Sequence, residues 1–123
     1  IQTHKALAVT YRVLNQFCQP KNDPVHLIVA PLTHAAGATA LALARFGTTN
    51  VIASGRDPGA ILATMVEEKV THIFVPPTLI YRLLAQPQAK TISFPALEYI
   101  VYGAAPMSDE KLKEGLEMWG PVF

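Results

Sequence analysis

Residues 97–108 read LEYIVYGAAPMS, and this stretch decides the fold class. The apolar run Tyr99–Tyr102 predicts a buried strand, and the small residues of Gly103–Pro106 predict a turn directly after it. Ser108 then predicts the start of a helix. Small side chains after a strand let a flat or charged ligand approach the backbone, and a helix start beside them offers unpaired N–H groups. The stretch therefore predicts an α/β unit that carries a ligand-binding turn.

The same order of strand, turn and helix recurs upstream. Apolar runs at 26–30, 50–53 and 71–75 predict three more strands, and segments with helical apolar spacing separate them. Strands that alternate with helices predict a parallel sheet covered by helices on both faces. Ligands bind beyond the carboxyl ends of such strands, so His34 and Pro76–Thr78 should share one sheet edge with the downstream turn.

Three further elements are predicted from local signals. Thr3 is expected to cap a first helix that ends near Phe17, and 35–46 is expected to form a helix whose Ala and Gly residues imply close packing. The end of the chain, 121–123, resembles the start of a fifth strand. The buried face of the first helix is predicted to contain Ala6, Leu7, Val13, Leu14 and Phe17.

Four segments, in this order along the chain, resemble the acyl-adenylate-forming superfamily of acyl- and aryl-CoA synthetases, luciferases and peptide-synthetase adenylation domains. GAAPMS at 103–108 resembles the adenine-binding turn of that family, often written GGAP or GAAP. PLTHAAG at 31–37 resembles its histidine segment, and VPPTL at 75–79 resembles its strand-to-helix corner. IQTHKAL at 1–7 resembles the residues that follow its phosphate loop. The resemblance covers nearly the whole chain.

The resemblance implies a nucleotide-binding role for the turn after the last strand. The backbone of Gly103, Ala104 and Ala105 would lie against the adenine and the activated carboxylate, and Pro106 would fix the exit into the helix. Many relatives have a second glycine where this chain has Ala104. The extra methyl group leaves backbone recognition possible and narrows the pocket.

The resemblance also implies two substrate-binding residues. His34 matches the histidine that lies near the acyl group and the thiol tunnel in CoA ligases, where amino-acid-activating relatives usually carry Asp. Thr33 stands where the family commonly has an aromatic residue, so the pocket shape differs here. Thr78 is expected either to line the acyl pocket or to cap the helix that begins beside it.

The resemblance implies that the parent protein is an ATP-dependent ligase. Such a ligase forms an acyl-adenylate and transfers the acyl group to CoA, with Mg²⁺ as cofactor. The phosphate loop TSGTTGxPKG, the YGxTE motif with its magnesium-binding Glu, the ribose-binding Asp and the catalytic Lys of that family do not occur in 1–123. We therefore expect this chain to be an internal fragment, one partial domain. Alone it should hold neither a cofactor nor a metal, contain no catalytic residue and be inactive.

Composition sets limits on partners and location. Half of the residues are hydrophobic, 15% are charged and the net charge is +1, which gives no electrostatic reason to expect nucleic acid. A single cysteine, Cys18, fits a reducing, cytoplasmic setting, and no apolar run reaches the ~20 residues that span a bilayer.

His4, His26 and His72 lack metal-ligand spacing and are expected to be structural or solvated. The low charge and open sheet edges predict that the chain self-associates.

Two other functions stay open at this point. A non-catalytic, flavodoxin-like binding or interaction module explains the alternating pattern, although it leaves the four ordered segments unexplained. An amino-acid adenylation domain explains the segments, but His34 argues against it because an imidazole suits a carboxylate without an α-amino group.

Overall fold

Helices and strands alternate through the computed structural model, which describes residues 3–123. Residues 1 and 2, which begin the IQTHKAL segment, lie outside the described part. Short 3₁₀ turns follow the second and fourth helices. The helices are α1 (His4–Phe17), α2 (Ala35–Leu43), α3 (Pro58–Glu67), α4 (Pro77–Leu84) and α5 (Asp109–Trp119), and the strands are β1 (Val25–Ile28), β2 (Thr49–Ile52), β3 (His72–Val75) and β4 (Tyr99–Tyr102).

These strands form one sheet in the order β2-β1-β3-β4, and every neighbouring pair is parallel. The predicted α/β class with a parallel sheet is therefore confirmed. From β1 the chain passes through α2 to β2 at one edge, and then crosses back through α3 to β3 on the other side of β1. The two connections diverge between β1 and β3, which leaves a crevice at the carboxyl ends of these two strands.

Both faces of the sheet are covered by helices, as predicted. On one face Leu27, Ile73 and Ile100 lie in register across three strands and are buried. They belong to a single core with buried side chains of α3 and α4. On the other face α2 contacts β1 and β3, and α1 packs on α2. The residues that α3 and α4 give to the core are Ile61, Leu62, Met65, Ile80, Leu83 and Leu84.

The face beneath α1 and α2 carries two buried histidines, His26 and His72. His26 is in register with Asn50 on one side and His72 on the other, and its Nδ1 lies 3.0 Å from Asn50 Oδ1. His72 Nε2 donates to the carbonyl oxygen of Cys18, also at 3.0 Å. Burial lowers the pKa of both histidines and raises the pKa of the Cys18 thiol. Both imidazoles and the thiol are therefore structural, neutral groups.

Folding stability should fall as the pH drops below about 6.5, because the unfolded chain takes up protons that the buried imidazoles of His26 and His72 exclude in the folded state. Each excluded proton changes the free energy of unfolding by about 1.4 kcal/mol per pH unit. The two histidines together therefore give a slope of up to about 2.7 kcal/mol per pH unit. Urea unfolding at a series of pH values measures the slope. His26→Gln should lower this slope by the amount that one proton contributes, whereas His4→Gln, at an exposed position, should leave the slope unchanged. A slope that neither His26→Gln nor His72→Gln changes contradicts the assignment.

Helix α1 begins at the predicted cap, since the Thr3 hydroxyl accepts the Ala6 N–H at 3.2 Å, but its buried face is only partly as predicted. Leu7 and Leu14 are half-buried against α2 together with Thr10 and Tyr11. In contrast Ala6, Val13 and Phe17 are exposed, with Phe17 at 67%. The helix has two overlapping apolar stripes, and α2 covers the one at positions 7, 11 and 14.

The ends of two other predicted elements also differ. Helix α2 ends at Leu43 and tightens into a 3₁₀ turn over Ala44–Phe46, because Gly47 adopts a left-handed conformation with φ 72°. The prediction of a fifth strand was wrong: within the described residues 121–123 form no strand. Only the Val122 carbonyl joins the sheet edge, where it accepts the N–H of Ile100.

Across residues 3–123, none of the helices has the length and apolar character needed to cross a membrane.

Candidate functional site

Three loops meet at the carboxyl edge of the sheet. One follows β1 and leads into α2, another follows β3 and leads into α4, and the third follows β4 and leads into α5. Because the strands are parallel, their carboxyl ends lie at the same edge. The sequence predicted this convergence, and the structure has it.

His34 lies at the N-cap position of α2 without capping the helix through its side chain. Its Nδ1 lies 2.9 Å from the hydroxyl oxygen of Thr33, and its side chain is exposed. Thr33 therefore orients the imidazole. His34 and Thr33 also line a groove of about 630 Å³ between α1 and α2, the helix groove, whose apolar walls include Leu7, Leu32 and Leu41.

Gly37 explains why α2 can start so close to the His34 loop. A methyl group built on Gly37 would lie 1.8 Å from the carbonyl oxygen of Leu32, which is backbone and cannot rotate away. The Gly37 N–H bonds the carbonyl of His34 at 3.0 Å. The close packing predicted from the small residues of this helix is thus an obligatory contact between its first turn and the preceding loop.

Thr78 lies in a different cavity from His34. The structure gives α4 the N-cap Pro76 and no side-chain cap, so the prediction that Thr78 caps this helix was wrong. Thr78 is already within the first turn, because Pro77 supplies the preorganised first position. It is exposed and lines a cavity of about 270 Å³ between the loops after β1 and β3, which we call the arginine cavity; its walls are Val29, Ala30, Pro31, Arg56, Ile61, Pro76, Thr78, Leu79 and Arg82.

The turn after β4 presents its backbone to solvent. Ala104, Ala105 and Pro106 are exposed, and Ala104 has φ +71°, in the left-handed region that favours glycine. A methyl group on Gly103 would meet the Phe74 ring at 3.7 Å, which is ordinary contact. Packing within residues 3–123 therefore does not require glycine at position 103.

A tyrosine that the sequence did not single out as functional holds this turn in place. The Tyr81 hydroxyl on α4 accepts the backbone N–H of Ser108 at 2.8 Å. Ser108 in turn caps α5, because its hydroxyl accepts the Lys111 N–H at 3.3 Å. Tyr81 thus ties the helix after β3 to the turn after β4. Sequence analysis did not single out Arg56 and Arg82, which both line the arginine cavity.

Comparison with known proteins gives a consistent result. The model of a family described as AMP-binding enzyme matches residues 1–122. The medium/long-chain-fatty-acid–CoA ligase FadD8 of Mycobacterium tuberculosis is 29% identical over 101 residues, which covers 82% of this chain and 18% of that protein. A feruloyl-CoA synthase of Amycolatopsis sp is 34% identical over 88 residues, which covers 70% of this chain and 18% of that protein. The chain thus spans less than a fifth of the length of these curated relatives.

The fold has close counterparts among solved structures. The N-terminal domain of FACL13 from Mycobacterium tuberculosis matches with a TM-score of 0.85 at 21% identity, over 95% of this chain and 30% of that one. At this identity the likeness concerns the fold alone.

Proposed function

The chain belongs to the AMP-binding enzyme family, and from that premise we propose that it is one part of a larger ligase that activates a carboxylic acid with ATP and transfers the acyl group to CoA. The observation that carries the proposal is the position of the His34 loop and the Gly103–Pro106 turn at one sheet edge. The names of two relatives, a fatty-acid–CoA ligase and a feruloyl-CoA synthase, support CoA as the acceptor. A cytoplasmic location and a place in fatty-acid metabolism belong to the same proposal.

The reaction would proceed in two steps. A carboxylate oxygen attacks the α-phosphorus of ATP, and pyrophosphate leaves. The sulfur of CoA then attacks the acyl carbonyl carbon, AMP leaves, and the thiol proton passes to solvent or to a nearby base. Negative charge develops on phosphate oxygens in the first step, so positioning and cationic groups dominate catalysis.

This chain would contribute binding surfaces to those steps. The exposed backbone of Gly103–Pro106 would receive the adenine, and the imidazole of His34, oriented by Thr33, would border the acyl group and the incoming thiol. Thr78 would contact the substrate from the arginine cavity. Because His34 and Thr78 line separate cavities, a substrate that touches both must cross the loop after β1 that separates them.

The proposed reaction also involves a magnesium ion, as the family resemblance implies. Within the described part of the chain, no group of three or more His, Cys, Asp or Glu side chains is placed to hold a metal ion. In line with the family resemblance, we propose that the magnesium-binding Glu is that of the YGxTE motif, which does not occur in residues 1–123.

Pyrophosphate exchange into ATP, measured on the complete parent protein with panels of fatty, aromatic and amino acids, tests the proposal. We expect exchange with fatty or aromatic acids, and CoA-dependent thioester formation with the same acids. Exchange with amino acids only would establish the amino-acid adenylation alternative. No exchange with any acid would contradict the proposed ligase and favour a non-catalytic binding role.

Replacing Ala104 by leucine in the complete protein should weaken ATP binding about tenfold, because the larger side chain blocks the approach of a flat base to the turn. Leucine meets the same backbone penalty as alanine at φ +71°, so the melting temperature should stay unchanged. Ala104→Gly is the matched control: relief of that conformation should add about 0.5 to 1 kcal/mol to the free energy of unfolding and leave ATP binding intact. ATP titration and thermal melting measure the two effects. Unchanged ATP affinity in Ala104→Leu contradicts the adenine role of the turn.

A further inference from the structure

The arginine cavity lies at the point of the fold where a parallel sheet most readily binds a ligand. Its walls come from the loop after β1 and from the start of α4 after β3, the two strands between which the connections diverge. Open parallel sheets bind ligands in this crevice, outside the carboxyl ends of the strands. The helix groove that contains His34 and the turn at Gly103–Pro106 both lie outside it.

Two cationic side chains line this cavity without a carboxylate to neutralise them. The chain has four arginines, and both Arg56 and Arg82 are in the cavity wall, which contains no acidic residue. Among residues 3–123 the one ion pair joins Lys111 to Glu114, so neither cavity guanidinium is paired. Asp57, the neighbour of Arg56, uses its carboxylate to accept the Ala60 N–H at 2.8 Å instead.

The rest of the cavity wall is apolar apart from one hydroxyl. Val29, Ile61 and Leu79 provide the apolar surface, and the Thr78 hydroxyl forms no hydrogen bond within the described part of the chain. A volume of about 270 Å³ is below the range of about 300–1,000 Å³ typical of whole ligands. The cavity therefore suits one charged group of a ligand and the few carbons next to it.

We propose that the arginine cavity binds an oxyanion, a carboxylate or phosphate group that is attached to an apolar stem. The planar guanidinium fork matches two oxygens of such a group, and Arg56 and Arg82 would hold it from the loop after β2 and from α4. Thr78 would donate a third hydrogen bond. Among the ligands that carry this chemistry we test two, the distal carboxylate of a dicarboxylic acid and the phosphates of CoA; that choice of ligands rests on the proposed function, whereas the anion site does not.

A second pair of arginines provides a matched control. Arg12 and Arg45 line a hollow of about 290 Å³ beside Asn15, Gln16 and Gln19. All five residues that line this hollow have polar or charged side chains. It lies between the end of α1 and the 3₁₀ turn after α2, and none of the loops at the carboxyl ends of the strands contributes to it. Removing its charges changes the net charge equally without touching the proposed site.

Isothermal titration of the complete protein with glutarate, CoA and the neutral compounds glutaramide and pantetheine tests the proposal. Because charge-assisted hydrogen bonds are stronger than neutral ones, Arg56→Gln with Arg82→Gln should weaken the affinity for the anion about tenfold or more. The neutral compounds should be unaffected. Arg82→Lys, which keeps the charge but loses the fork, should give an intermediate loss. Thermal melts of each variant confirm that the exposed substitutions leave the fold intact.

Each outcome decides the question. A loss confined to glutarate identifies a dicarboxylic acid as the ligand, a loss confined to CoA identifies its phosphates, and a loss for both supports a shared oxyanion site. Wild-type affinity for both anions in the double variant, or an equal loss in Arg12→Gln with Arg45→Gln, overturns the proposal. Titration needs no turnover, so a protein that forms no thioester would refute the proposed function and leave this result standing.

Discussion

Replacing Gly37 by alanine should lower the free energy of unfolding by about 3 kcal/mol, at the upper end of what overpacking costs. The added methyl would lie 1.8 Å from the Leu32 carbonyl oxygen, so either α2 or the loop after β1 must move. Movement of either also strains the hydrogen bond from the Gly37 N–H to the His34 carbonyl. Urea unfolding measures the loss.

Gly55→Ala is the control for this substitution. A methyl group on Gly55 meets nothing within 4 Å, and its backbone is compatible with alanine. Its effect should stay within about 0.5 kcal/mol of wild type. Equal stability of Gly37→Ala and Gly55→Ala would show that the first turn of α2 does not contact Leu32 as described.

Replacing His34 by alanine in the complete protein should slow thioester formation about a hundredfold, because a side chain that positions the acyl group is lost, while ATP binding remains intact. The reason is placement: His34 borders the helix groove after β1, whereas the adenine turn follows β4 in a separate loop. Single-turnover measurements that separate adenylate formation from thioester formation measure the effect.

Two further variants sharpen this test. Thr33→Val keeps the imidazole but removes the hydroxyl that lies 2.9 Å from its Nδ1, so it should reproduce part of the loss. His4→Ala removes an exposed histidine on α1 and should change neither step. A large loss of ATP affinity in His34→Ala, with both chemical steps at wild-type rates, would contradict the assignment of His34 to the acyl site.

The parts of the fold that the sequence predicted well depend on local interactions. Strand β4 has the predicted bounds, since an apolar run and a small-residue turn define it without help from distant residues. The caps Thr3, Asp57 and Ser108 accept the expected N–H groups three residues on, because a capping bond joins near neighbours in sequence. The family resemblance was confirmed for a similar reason, as its four segments are short and contiguous.

What the sequence could not predict depends on contacts between distant elements. Two stripes of α1 are apolar, and only the position of α2 decides that Leu14 is covered and Phe17 is not. The strand order was unpredictable because the loops are compatible with more than one arrangement. Arg56 and Arg82 are 26 positions apart, and only that order brings them to one cavity. The roles of His34, Thr78 and Gly103–Pro106 in binding stay predictions.

The contact between Val122 and β4 makes the two sides of the sheet unequal for assembly. The Val122 carbonyl occupies the Ile100 N–H, and the Phe123 ring lies against Tyr102, so this side already has a partial cover. Strand β2 has no such cover within the described residues, and its Ile52 is 68% exposed. If the isolated chain self-associates as we expect, pairing should begin at β2 and join the sheets of two copies edge to edge. In such a dimer both β2 edges are paired, and the remaining β4 edges are partly covered by Val122 and Phe123. Growth should therefore stop at two chains and not continue into a fibre.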